Sequence, residues 1–120
     1  IYDPIRKKYV ALTPEEWVRQ QFLNYLLNEK KYPASLIAIE RQLKVGSLSK
    51  RFDILIYKDA APWMLVECKS ESILLNQQTL TQILAYQSSL KVRYLTITNG
   101  PVFHCFDIDL HSWSNELPDF

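Results

Sequence analysis

Asp53, Glu67 and Lys69 are the residues of this chain whose charge is hardest to explain. Asp53 interrupts the apolar run Phe52-Asp53-Ile54-Leu55-Ile56-Tyr57, and Glu67 and Lys69 interrupt the run that begins at Trp63. A carboxylate in apolar surroundings is costly unless it is paired or bound to a metal. If both runs are strands, the period of two puts Glu67 and Lys69 on one face, roughly 6–7 Å apart, with Val66 and Cys68 on the other. Pairing the runs would bring Asp53 alongside Glu67, giving two carboxylates whose repulsion a divalent cation cancels. Two acids plus the Cys68 backbone carbonyl make the kind of hard-oxygen set that Mg2+ accepts, with Mn2+ as a substitute. A lysine beside such an ion could stabilise charge on a phosphorane or help deprotonate water, and phosphodiester hydrolysis requires both. The same residues also allow a plain structural ion pair between Lys69 and either acid. Spacing alone does not separate the two readings, because Glu29-Lys30-Lys31 matches the acidic-x-Lys pattern at a helix end. The apolar context of Glu67-Cys68-Lys69 is what distinguishes it.

The elements that must position these residues are legible from pattern. Thr13-Pro14-Glu15-Glu16 is a helix start, with Thr13 as cap, proline in the first turn and Glu16 closing a capping box. A helix is expected from about 14 to 30, burying Val18, Phe22, Tyr25 and Leu26. Leu36 to Val45 reads as a strand followed by a Gly46-Ser47 turn. Phe52 to Tyr57 and Trp63 to Ser70 form a hairpin across the loop Lys58 to Pro62; both runs are apolar on both faces, as in strands covered on each side. Asn76 to Leu90 has helical spacing in Leu80, Ile83, Leu84 and Gln87, and Arg93 to Thr98 is a β-branched strand, so a parallel crossover is expected. Asn99-Gly100 then turns the chain into a last strand, Val102 to Ile108. The predicted order is α-β-β-β-α-β-β.

Composition sets the frame. The 120 residues, 48% hydrophobic and 22% charged, suit one domain spanning 1–120 with a single packed core. Six prolines, two glycines and no repeat argue against a long linker. No apolar run reaches membrane-spanning length, and no leader-like apolar segment follows Arg6-Lys7-Lys8, so no membrane partner is expected. Two isolated cysteines, Cys68 and Cys105, fit a reducing cytoplasm, and the lone His104 and His111 make no zinc quartet. Residues 1–58 carry 11 Lys/Arg against 6 Asp/Glu, net +5, while residues 59–120 carry 3 against 7, net −4. The basic half is modest, and the net charge of +1 does not by itself point to nucleic acid.

The stretches Thr13-Pro14-Glu15-Glu16 with Val18-Arg19-Gln20, Arg51-Phe52-Asp53, Val66-Glu67-Cys68-Lys69, Gln82 to Tyr86 and Tyr94 to Gly100 resemble the PD-(D/E)xK nucleases. Within that superfamily they look like the N-terminal nuclease domain of type I restriction enzyme R subunits, over most of residues 13–106. The resemblance implies a restriction-endonuclease-like α/β fold, a central mixed sheet of about five strands flanked by helices, and Mg2+-dependent cleavage of DNA. It implies Asp53 and Glu67 as metal ligands, Lys69 as catalytic cation, and Gln82, with Tyr86 in the Gln-x-x-x-Tyr element, as auxiliary. Phe52 departs from the proline usually found before the acid. Families of this kind often add a glutamate from an early helix. Glu15 lies on the Val18/Phe22 face and is preferred over Glu16, which the capping box accounts for, although either can simply favour the helix dipole. Phosphate contacts, largely independent of sequence, are expected from Arg19, Arg41, Lys44, Lys50, Arg51 and Tyr86. The chain has no Gly-x-x-x-x-Gly-Lys-[Ser/Thr] loop, so other restriction-modification subunits or a translocase domain are the expected partners. A fragment, a stand-alone relative or a silent nuclease-fold module that binds DNA or protein would each fit, and the start at Ile1 suggests trimming.

Overall fold

The computed structural model describes residues 1–45, 47–86 and 91–120. A small hairpin, β1 (Tyr2–Asp3) and β2 (Lys8–Tyr9), precedes helix α1 (Pro14–Asn24). Thr13 caps α1 in an extended conformation, its hydroxyl accepting the Glu16 N–H at 3.1 Å. The reciprocal half of the expected capping box is not made. The Glu16 carboxylate takes the Arg6 guanidinium instead, a charged partner worth more than a backbone amide. Helical winding continues through a five-residue π turn, Tyr25–Glu29, close to the expected end at 30. Val18, Phe22, Leu23 and Leu26 form the buried face, and Tyr25 is half-buried.

One sheet holds β3 (Ile37–Val45), β4 (Leu48–Lys58), β5 (Ala61–Cys68), β6 (Tyr94–Thr98), β7 (Phe103–Asp107) and β8 (Ser112–Ser114), side by side in that order. All neighbours are antiparallel except β5 and β6, whose parallel pairing spans a connection that contains α2 (Gln77–Tyr86). The sheet therefore has six strands where about five were expected, and a hairpin stands ahead of α1. Both additions are two- or three-residue strands, too short for a period of two to register. The Gly46 part of the expected turn and the 87–90 end of the expected helix lie outside the described residues.

Alternation along β4 and β5 splits the core in two. Ile54, Ile56, Met64 and Val66 pack with Val18, Phe22 and Leu26 of α1; Leu55 and Leu65 pack with Leu95, Ile97 and Phe106 and with Leu80 of α2. The sheet is covered on both faces, as the doubly apolar runs predict. Among the described residues no helix is long and apolar enough to cross a membrane.

The expected five-residue loop between β4 and β5 contracts to two residues, Asp59 and Ala60, with φ of 54° and 63°. Two left-handed residues in a row match the twist of a tight hairpin, a geometry that favours Asn-Gly rather than Asp-Ala. Ala60→Gly should therefore raise the midpoint of urea denaturation, stabilising the chain by about 0.5–1 kcal/mol. An unchanged or lower midpoint would contradict a left-handed Ala60.

Candidate active site

Strands β4 and β5 part company at the site. Their ladder runs from Lys58↔Ala61 to Ile54↔Val66 and stops, leaving Asp53 across from Glu67 without backbone pairing. Beyond that point the backbone ladder of β5 continues with β6, through Glu67↔Ile97, Cys68↔Thr98 and the Lys69 N–H donated to the Thr98 carbonyl at 2.8 Å. The Cys68 N–H is thus released from β4, and the Asp53 carboxylate accepts it at 2.7 Å. A side chain replaces a ladder carbonyl here, which fixes Asp53 against the end of β5.

The other side of β4 is irregular as well. Pairs Ile39↔Ile54 and Arg41↔Phe52 bracket Glu40, which has a φ of 53° and stands across from Asp53. Glu40, Asp53 and Glu67 therefore occupy one row across three neighbouring strands. Like charges placed opposite one another repel, so each must be compensated. Lys69 Nζ lies 3.5 Å from Glu67 Oε1. Arg19 and Arg51 reach Glu40 at 3.2 and 2.8 Å.

The electrostatics follow from burial. Desolvation pushes the Asp53 carboxyl above its ordinary range, against the pull of the Cys68 N–H, Arg19 and Lys69, and Glu15 adds to the rise. Glu67 is raised by burial first and by Asp53 second, with Lys69 opposing and Glu15 contributing. Two acids that each resist ionisation, Glu67 the more so because of Asp53, form a site that gains from a cation. Among the described residues no three His, Cys, Asp or Glu side chains form a ready-made metal group. Asp53 and Glu67 are the residues that could hold a hard ion, with the remainder of its shell coming from water, a backbone carbonyl and a phosphate oxygen.

The other predicted site residues divide. Glu15 is exposed and within electrostatic reach of both Asp53 and Glu67, whereas Glu16 is buried and committed to Arg6, Arg19 and Gln20. Gln82 is exposed on α2, turned away from buried Leu80, and among the described residues no hydrogen bond ties it to Asp53, Glu67 or Lys69. Tyr86 ends α2, and its side chain lies outside the described residues. Arg41, Lys44 and Arg51 are exposed, and Lys50 is half-buried. Arg19 departs from expectation: only 7% exposed, it is an interior residue clamped by Glu16 and Glu40, not a surface contact for phosphate. Sequence reading passed over Glu40. A signal for it existed, since Arg19 falls on the same buried helix face as Phe22 and Leu26, and an arginine there requires a carboxylate partner.

The family described as "Type I restriction enzyme R protein N terminus (HSDR_N)" matches residues 14–119. The chain belongs to this family. Among solved structures, a fragment described as an HsdR subunit of a type I restriction enzyme from Vibrio vulnificus YJ016 superposes with a TM-score of 0.65 at 23% identity. The match covers 92% of the present chain and 24% of that one, so the chain spans about a quarter of the length of this relative. At that identity the likeness establishes a shared fold. No curated protein sequence matches. As a member of the type I R-protein N-terminal family, the chain carries its candidate site inside the matched region, with Asp53 and Glu67 near its middle.

Proposed function

We propose that this chain is a PD-(D/E)xK-type nuclease domain that hydrolyses DNA phosphodiester bonds with Mg2+, or Mn2+ in its place, as the cleaving part of a type I restriction system. The observation that carries this reading is the meeting of two half-buried carboxylates where β4 and β5 separate, with the Lys69 ammonium beside Glu67. Family membership supplies the biological setting. The donor set fits a hard divalent cation, because both acids are half-buried, mutually repelling and only partly offset by Lys69. Bound between Asp53 and Glu67, with the Cys68 carbonyl as a further ligand, such an ion would supply Lewis acidity toward the phosphate and a more acidic water.

The chain's own residues do the rest. Asp53 is held in place by the Cys68 N–H, and Glu67 by the parallel ladder to β6. Lys69, about a third exposed and anchored through its own N–H, presents a cation to the non-bridging phosphate oxygens, where negative charge grows as water attacks. Glu15 adds an exposed acid at the rim, and Gln82 an auxiliary polar contact from α2. Arg51, whose side chain is 63% exposed, can exchange Glu40 for a DNA phosphate, with Arg41, Lys44 and Lys50 extending that surface. Contacts of this kind read no sequence, so partner subunits of a restriction-modification complex or a translocase domain choose the site, in the cytoplasm.

Nicking of supercoiled plasmid by the wild-type chain in Mg2+ or Mn2+ tests the proposal. Activity should fall at least about 100-fold in Glu67→Ala and in Lys69→Ala proteins that remain folded by circular dichroism. Equal nicking by wild type and both variants would sink it.

A further inference from the structure

Arg19 lies one helical turn from Glu15, inside the protein. Its Nε is 3.3 Å from Glu16 Oε2 without the alignment of a hydrogen bond, and its Nη2 is 3.2 Å from Glu40 Oε1. Its Nη1 is buried with no hydrogen-bond partner among the described residues. Leaving a guanidinium nitrogen buried and unpaired costs more than a surface arginine would, so its retention calls for an electrostatic role. The position supplies one. Glu40, which Arg19 clamps, stands in register across from Asp53, and it does so in a left-handed conformation that a non-glycine residue holds only when its surroundings enforce it. Arg19 also favours the charged form of Asp53 directly.

We propose that Arg19 is a positioning residue, a fixed internal cation that holds Glu40 and offsets Asp53 before any divalent ion arrives and, by repulsion, keeps that ion loosely held and exchangeable. The inference rests on the metal-site reading above and adds what that reading does not require: the tightness of the ion is set from behind the site, by a residue that touches neither ion nor substrate. Ion and guanidinium both offset the charge of Asp53. Removing one should strengthen dependence on the other.

Calorimetric titration of Mg2+ into the full chain, with thermal unfolding in the presence and absence of the ion, gives the test. Arg19→Met should unfold at lower temperature without metal, recover most of the loss with it, and bind Mg2+ about three- to tenfold more tightly than wild type, because a nearby positive charge is gone. Arg19→Lys, which keeps the charge, should bind as wild type does. Should Arg19→Met fail to fold, Glu40→Gln carries the same question at a more exposed position. It frees the Arg19 charge from its clamp and should weaken Mg2+ binding about three- to tenfold, although Glu40 is not a ligand. Wild-type binding with equal or weaker affinity in Arg19→Met, or unchanged affinity in Glu40→Gln, overturns the role of Arg19 and leaves the metal site standing. No binding by wild type overturns both.

Discussion

Asp53→Asn should move stability and activity in opposite directions. Asparagine keeps the shape of the side chain and an oxygen that can accept the Cys68 N–H, so the local backbone has no reason to shift. What it removes is a charge that burial and the neighbouring acids disfavour. The sign follows from linkage. A carboxyl whose folded-state pKa is raised binds its proton more tightly in the native chain than in the unfolded one, so it loses stability as pH rises from its ordinary value, near 4, through the raised value. The amide of the variant has no such loss. Without metal, the variant should match wild type near pH 3.5 and exceed it at pH 7 by on the order of 1 kcal/mol in urea denaturation. Mg2+ should raise the thermal midpoint of wild type and leave that of the variant nearly unmoved. Under the proposed function, Mg2+-dependent nicking should fall on the order of 1,000-fold, since one of the two ligands has lost its charge. A variant less stable than wild type at neutral pH, or one that nicks at the wild-type rate, would contradict this account of Asp53.

The trade-off explains why so much of the site is legible in the sequence. Charge in an apolar strand has a cost, and Asp53, Glu67 and Lys69 stand out because nothing nearby in sequence offsets it. Their placement on neighbouring strands follows from two short apolar runs and one turn. The parallel β5–β6 pairing follows from strand, helical spacing and strand in that order. What pattern could not give is the parting of β4 and β5, which depends on the Asp53 side chain capturing a backbone amide fifteen residues away. Nor could it give the partner of Arg19, whose place on the Phe22/Leu26 helix face calls for a carboxylate without saying which element supplies it. Glu40 is that partner, 21 residues on, in a backbone conformation that no propensity assigns to glutamate. The same blindness hid the start of the chain. Tyr2–Asp3 and Lys8–Tyr9 are too short to read as strands, and Asp3, Arg6, Glu16 and Gln20 look in sequence like ordinary surface polar residues.

Those four residues carry the largest stability effect expected outside the apolar core. Asp3 is fully buried and accepts the N–H groups of Ile5 and Arg6 at 2.8 and 2.7 Å, the Arg6 guanidinium at 2.7 Å and the Gln20 amide at 2.9 Å. Arg6 reaches across to Glu16 at 2.7 Å, so one guanidinium serves two buried acids and ties the first hairpin to α1. Burial alone would push the Asp3 carboxyl up, but the hydrogen bonds from Arg6, Gln20 and Ile5 outweigh it and hold the carboxyl below its ordinary value. Arg6→Ala should therefore cost about 3–5 kcal/mol at pH 7, the usual penalty when one partner of a buried pair is removed and the other charge stays behind. That is a large share of the roughly 5–15 kcal/mol that stabilises a domain, and it should appear as a lower midpoint in urea. A lowered pKa contributes stability that is present above the unfolded value, near 4, and is lost as pH falls below it. The gap between wild type and Arg6→Ala should accordingly narrow at pH 3, where protonated acids no longer need the arginine. Adding Asp3→Asn and Glu16→Gln to Arg6→Ala should recover much of the loss at pH 7, because no unpaired buried charge then remains. A gap below about 1 kcal/mol at neutral pH, or one that widens in acid, would mean that the hairpin is held to α1 by something other than these charges.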